Sequence, residues 1–380
     1  MLISMSLVRR GDSQPDYLIA HVQDITERKE MERLKNDARH LAAGQRRKRG
    51  GLRRAHRNLE LRTIVGADKT LRVFTERHLH RCAVLYGAIE GGGTKFVCAV
   101  GESAQHVHES IVVPTTDPHS TLSACVEFFA NAERKFGAVD ALGFACFGPL
   151  DLGIESPTLG HMLATPKPGW SGVDLLAPFR ARFSVSIAID TDVAAAALAE
   201  WRLGAGRGFG SVAYVTVGTG IGADVAPRDR DIGRLMHPEM GHITVRRDPR
   251  DAFAGVCPFH GDCLEGLASG PAIYKRWGCE LTGLPPEHDA WQIIGGYLGQ
   301  LAATIALVQS VQCIVFGGGV MANGLLLPHI RTAAAGSLKG YLQPLAHAGA
   351  LDDYITAPLL GTRAGIVGAM LLAETMAPKH

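Results

Sequence analysis

With 380 residues, 46% of them hydrophobic, the chain is long enough for two to three domains around a large core. No run reaches the roughly 18 to 20 consecutive apolar residues of a bilayer span, and the N-terminal MLISMSLVRR lacks the apolar region of a signal peptide. Eight unevenly spaced cysteines do not make a secreted disulfide framework, so a reducing cytoplasm is expected; the net charge of +2 conceals a basic segment 1–83 (19 Lys and Arg against 10 Asp and Glu) ahead of an acidic remainder (20 against 27).

Residues 15–42, PDYLIAHVQDITERKEMERLKNDARHLA, read as a strand running into a charged helix. They resemble the tail of a PAS sensor domain, whose last strand ends in D-I-T-E-R-K before a linker helix. One strand and one helix bury too little surface to fold alone. Residues 1–83 are therefore expected to be a poorly ordered extension outside the working protein. The run RRKRGGLRRAHR at 46–57 has the charge to meet nucleic-acid phosphates, but such runs are more often solvated, and no nucleic-acid partner is expected. Valine codons can serve as bacterial starts, and Val84 stands just before the next apolar run, so the functional chain is expected to begin there.

Residues 85–99, LYGAIEGGGTKFVCA, read as strand, tight glycine turn, strand. Glycines at such a turn let backbone N–H groups approach an anion with no Cβ in the way. Thr94 and Lys95 suit a phosphate, and Glu90 suits a magnesium ion. An ordinary hairpin explains the turn equally well, since glycine is common there.

Further strands are predicted at 106–113, 140–146, 186–190, 211–217 and 312–316. Helices are predicted at 118–136, 192–203, 269–278, 288–310, 323–334 and 362–376. This order predicts an α/β domain whose sheet opens on antiparallel strands. Two more glycine turns follow strands, GTGIG at 218–222 and GGG at 317–319. Three such turns fit a bilobed fold closing over a nucleotide, two for phosphates and one for the adenosine. A Walker A sequence is absent, as is a Rossmann G-x-G-x-x-G after the first strand.

The segments IEGGGTKFVCAVG, CFGPLD (146–151), ATPKPGW (164–170), TDVAAAALAEW (191–201), GTGIGA (218–223), HPEMGH (237–242), CPFHGDCLEGLASGPA (257–272) and FGGGVM (316–321) span the body from 84 to about 378. In that order they resemble the ROK family of sugar kinases, most closely its bacterial fructokinase branch. The resemblance implies an actin-like ATPase (ribonuclease H-like) α/β fold, with a kinase lobe at 84–204 and a second at 205–380. It implies ATP and Mg2+ as cofactors, a hexose substrate, most closely fructose, no membrane, and a homodimer. Glu90, Gly92, Gly93, Thr94 and Lys95 would form the first phosphate loop. Gly218, Thr219, Gly220 and Gly222 would form the second, and Gly317, Gly318 and Gly319 the adenosine loop.

His242, Cys257, His260 and Cys263 combine a Cys-x2-His-x2-Cys cluster with a histidine fifteen residues upstream. Two thiolates and two imidazoles suit tetrahedral zinc, and four filled positions imply a structural ion. Unligated loop residues are the alternative, and the family match favours zinc in a loop spanning 242–263. Phosphoryl transfer to a sugar needs a carboxylate to take the hydroxyl proton. Asp190 and Asp192 both offer one; Asp192 matches the family's catalytic aspartate, with a helix N-cap as its bland alternative, and Asp190 reads as structural. By the same resemblance Glu239, His242 and Glu265 contact sugar hydroxyls, His242 serving both zinc and sugar. Lys167 and Trp170 fall in a segment near the sugar.

Two positions depart from the family. Ala194 stands where an asparagine helps organise the start of the catalytic helix. Asp224 follows GTGIGA where more glycine is usual, and a carboxylate there is unfavourable beside phosphates unless it points away or holds magnesium. The reading is an ATP-dependent hexose kinase acting on D-fructose at the 6-hydroxyl, with glucose, mannose or an amino sugar as the alternative substrate. Its rival is a sugar-responsive transcriptional regulator sharing the ROK body, which would need an N-terminal helix-turn-helix that residues 1–83 do not display.

Overall fold

The computed structural model describes residues 3–9, 15–22, 61–65, 70–75, 84–228 and 235–376. The chain divides into two units, Met1–Val84 and Leu85–His380. In the first unit, β1 (Ile3–Arg9), β2 (Pro15–Val22), β3 (Leu61–Val65) and β4 (Thr70–Thr75) form an antiparallel sheet in the order β1-β2-β4-β3. Only β2 was expected there. The charged helix after it and the basic run at 46–57 lie outside the described residues.

The second unit opens on β5 (Tyr86–Gly91), β6 (Lys95–Ser103) and β7 (His106–Pro114), an antiparallel meander. Next comes α1 (Pro118–Phe136), which starts where Asp117 Oδ1 accepts the Ser120 N–H at 2.9 Å and Pro118 fills the first turn; it stops at Gly137. β8 (Ala141–Cys146) pairs parallel with β5, and β9 (Ser186–Thr191) parallel with β8, giving the order β7-β6-β5-β8-β9. Every residue of β8, ALGFAC, is buried, as a central strand covered on both faces requires. Between β8 and β9 lies the short α2 (Ala177–Arg182), and α3 (Asp192–Leu203) follows β9 directly.

The second sheet repeats that plan. β10 (Val212–Val217) and β11 (Ile221–Ala226) form a hairpin, β12 (Cys313–Gly317) pairs parallel with β10, and β13 (Ile355–Thr356) parallel with β12. Its helices are α4 (Leu264–Ala268), α5 (Gly270–Trp277), α6 (Ala290–Gln309), α7 (Leu326–Leu338), α8 (Ala350–Tyr354) and α9 (Ala364–Met376). α6 is long and apolar enough to span a bilayer. Here Trp291, Ile294, Leu298, Leu301 and Ile305 bury it in the core of this lobe.

The structure differs from the expected elements in identifiable ways. β11 was missed because Gly222 and Asp224 interrupt its apolar pattern. The helix expected at 269–278 is α5, capped where Ser269 Oγ accepts the Ala272 N–H at 3.4 Å, and the short α4 just before it was not expected. The lobe border at 204/205 also fails for the last helix. α9 packs on β5 and β8 of the first sheet and on α3. This packing needs glycine: a Cβ on Gly143 would lie 1.8 Å from the Ala369 carbonyl oxygen, and one on Gly368 would lie 2.0 Å from that of Ala195.

Candidate active site

The carboxyl ends of β5, β8 and β9, where α/β sheets bind ligands, place Glu90, Cys146 and Asp192 together. Asp192 is the first residue of α3, but the cap is Thr191, whose Oγ1 accepts the Ala194 N–H at 3.1 Å. The capping alternative for Asp192 is thereby excluded, and the alanine at 194 leaves the helix start capped. The Asp192 carboxylate accepts the Val193 N–H at 2.8 Å and its own backbone N–H. Burial pushes its pKa up to about 6.

Glu90 meets the first turn of α9, where the Ile366 N–H donates to it. Gly365 permits this approach, since a Cβ there would sit 2.2 Å from Glu90 Oε1. Burial, then repulsion from Asp192, raises Glu90 to about 7, while Lys95 opposes the shift. The structure therefore brings Glu90 close to Asp192.

The expected glycine loops separate into two kinds. A Cβ on Gly93, Gly218 or Gly319 would meet no atom within 4 Å. These three turns, at the ends of β5, β10 and β12, face open space. The other glycines serve packing. A Cβ on Gly317 would strike the Tyr214 hydroxyl at 2.2 Å, and one on Gly318, at φ +95°, the Val217 backbone at 2.4 Å. Gly220 leaves room for Glu265, whose Oε2 accepts the Ile221 N–H at 2.8 Å. Gly222 rests against Val193, so the second turn abuts the start of α3.

Glu239, Glu265 and His242 converge on the same region. His242 Nε2 faces Glu239 Oε2 at 3.9 Å and Glu265 Oε1 at 4.0 Å. Burial, then repulsion from Glu265 and Asp192, raises Glu239 to about 7. His237, the first residue of HPEMGH, had no assigned part. It is buried, and its Nε2 accepts the Leu150 N–H at 3.0 Å. That bond puts the ring proton on Nδ1, 3.4 Å from Glu239 Oε1. Burial keeps this histidine's pKa below its usual value.

Asp224, the suspect carboxylate, is held in a buried ion pair. Its side chain is 1% exposed and paired with Arg228, which also reaches Asp190 at 3.0 Å. Asp190 is thus structural, as expected. Trp170 is a core residue, fully buried and stacked on Phe96 at 5.5 Å between ring centroids. Lys167 lies on the first glycine turn, its Nζ 2.6 Å from the Gly93 carbonyl oxygen.

The four expected metal ligands also come together. A two-rung turn joins Cys257 and Gly261, and Cys263 caps α4. His242 Nδ1 lies 3.7 Å from Cys257 Sγ and 3.5 Å from Cys263 Sγ, and His260 Nδ1 lies 3.7 Å from Cys257 Sγ. All four donors fall within 4.8 Å of one another. Tetrahedral zinc separates neighbouring sulfur and nitrogen donors by about 3.4–3.8 Å, so the set fits that ion. His242 presents Nδ1 to the cluster and Nε2 to the carboxylates.

Residues 86–376 match the sequence profile of the ROK family. A fructokinase of Zymomonas mobilis is 43% identical over 293 residues, covering 76% of this chain and 96% of that protein. A fructokinase of Pediococcus pentosaceus is 38% identical over 291 residues, covering 77% and 98%. The solved ROK hexokinase of Thermus thermophilus superposes with a TM-score of 0.62 at 26% identity, covering 77% of this chain and 98% of that one.

Proposed function

Because the chain belongs to the ROK family, we propose that it transfers the terminal phosphoryl group of ATP to D-fructose at the 6-hydroxyl, with Asp192 as general base. The observation that carries this reading is a half-buried carboxylate of pKa about 6, freed from capping by Thr191, beside a glycine turn whose tip is open. The fructokinases it resembles support the sugar. Asp192 takes the hydroxyl proton; the hydroxyl oxygen bonds to the terminal phosphorus as the bridging P–O bond breaks and ADP leaves. Glu90 would hold Mg2+, which would supply positive charge against the negative charge developing on the phosphates. Glu239, Glu265 and His242 would orient the sugar hydroxyls through charge-assisted hydrogen bonds. Closure of the lobes would exclude water from the reaction. The reading includes a homodimer in the cytoplasm.

A coupled ADP assay across fructose, glucose, mannose and glucosamine tests it. Fructose is expected to give the highest kcat/KM; equal rates on all four, or none on any, would count against it.

Zinc is the ion proposed for His242, Cys257, His260 and Cys263, where it would fasten the 242–263 loop beneath the sugar site. His242 joins the two sites through its two ring nitrogens. Removing the ion with a strong chelator is expected to lower Tm and raise KM for the sugar, because metal binding is coupled to local folding. Full activity in protein that metal analysis shows to be zinc-free would refute the assignment.

A further inference from the structure

We propose that Lys167 is a positioning residue for the first phosphate loop: its ammonium, held on the Gly93 carbonyl, turns the Gly93–Thr94 peptide so that the Thr94 N–H is presented to the terminal phosphates of ATP. This rests on the kinase reading above.

Three successive carbonyls at the tip of the glycine turn are each pinned. The Gly92 oxygen accepts from Thr115 Oγ1 at 2.7 Å, the Gly93 oxygen from Lys167 Nζ at 2.6 Å, and the Thr94 oxygen from the Thr115 N–H at 3.0 Å. In a trans peptide the carbonyl and the following N–H point in opposite directions. Pinning the carbonyls therefore aims the N–H groups of Gly93, Thr94 and Lys95 away from the groups that hold them. Among the described residues, no backbone carbonyl accepts the N–H of Gly93 or Thr94. The space around Gly93 is open.

Thr115 follows β7 directly and is neutral. Lys167 comes from 74 residues along the chain and brings a charge. A cation on a carbonyl oxygen polarises the whole peptide and makes its N–H a stronger donor. The lysine is half-buried, and among the described residues it has no carboxylate partner, so its charge stays available beside the loop.

Its own placement is built in. Pro166 and Pro168 flank it and restrict the backbone on both sides. Three residues on, Trp170 stacks on Phe96, the residue after Lys95, and its Nε1–H donates to the Thr116 carbonyl at 3.0 Å. The lysine is therefore anchored to the strands that carry the loop it orients. The loop lies beside Asp192 through Glu90, so its N–H groups serve the terminal phosphates, next to the base, and not the α-phosphate.

The test is isothermal titration of the full-length wild type, Lys167→Met and Lys167→Arg with ATP, ADP and AMP in the presence of Mg2+, alongside steady-state kinetics. Lys167→Met is expected to bind ATP about 10- to 100-fold more weakly, the loss typical of a charge-assisted hydrogen bond, with AMP affinity and KM for the sugar unchanged. Lys167→Arg, which keeps a charged donor, is expected to recover most of the ATP affinity. Equal losses for ATP and AMP, or wild-type ATP affinity in Lys167→Met, would overturn the proposal. A wild type that binds no ATP would instead sink the kinase reading. Should Lys167→Met fail to fold, Lys167→Gln carries the same comparison.

Discussion

Replacing Asp192 with Asn is expected to leave ATP binding intact and to cut phosphoryl transfer about 10²- to 10⁴-fold, the contribution of a placed general base. The substitution keeps the size of the side chain and an oxygen that can accept the Val193 N–H. Thr191 continues to cap α3, so the loss cannot be assigned to a broken helix start. The wild-type pH profile supplies a second readout. Asp192 must be ionised to accept a proton, and its pKa stands at about 6. kcat/KM should therefore rise as pH climbs through about 6, and the residual rate of the Asn variant should lack that limb. Substantial turnover in Asp192→Asn, at normal ATP affinity, would remove Asp192 from the mechanism.

Replacing Arg228 with Met is expected to give the largest loss of stability. The guanidinium lies between Asp190 and Asp224, and the three side chains are 16%, 10% and 1% exposed. Removing the cation from such a buried cluster typically costs about 3–5 kcal/mol, because carboxylate charge stays behind in a low-dielectric site. For a unit of this size that is a fall in Tm on the order of 10 °C. The double variant Arg228→Met with Asp224→Asn should regain part of it, since less charge is left stranded. An unchanged Tm in the single variant would show that the cluster contributes nothing to the fold.

Most of the α/β body could be read from its periodicity. α1 and α3 fall on their expected bounds, because each has a cap and a continuous apolar stripe. The three glycine turns, the four candidate metal ligands and Asp192 were visible as patterns of residue type. What could not be read was long-range partnership. Nothing local to residues 364–376 says that α9 returns to the first sheet, because Gly143 and Gly368 become informative only when their neighbours are known. Asp224 looked misplaced although its counter-ion, Arg228, stands only four residues along the chain, a local pairing that was missed. His237 was hidden because its partner, the Leu150 N–H, lies 87 residues earlier. The N-terminal strands β1, β3 and β4 escaped because strongly charged flanks obscured their short apolar runs.

The crowding of carboxylates around Asp192 also has a thermodynamic side. Glu90 and Glu239 stand at about 7 and Asp192 at about 6, whereas an unfolded chain holds such groups near 4. Between those values the folded protein binds more protons than the unfolded one, so these groups contribute less and less to stability as pH rises from about 4 to about 7. The fold is thus weakened by its own site over the same interval in which Asp192 would become a competent base. Any cation or ligand that settles among these acids relieves that strain, so occupancy and fold stability are thermodynamically coupled in this enzyme.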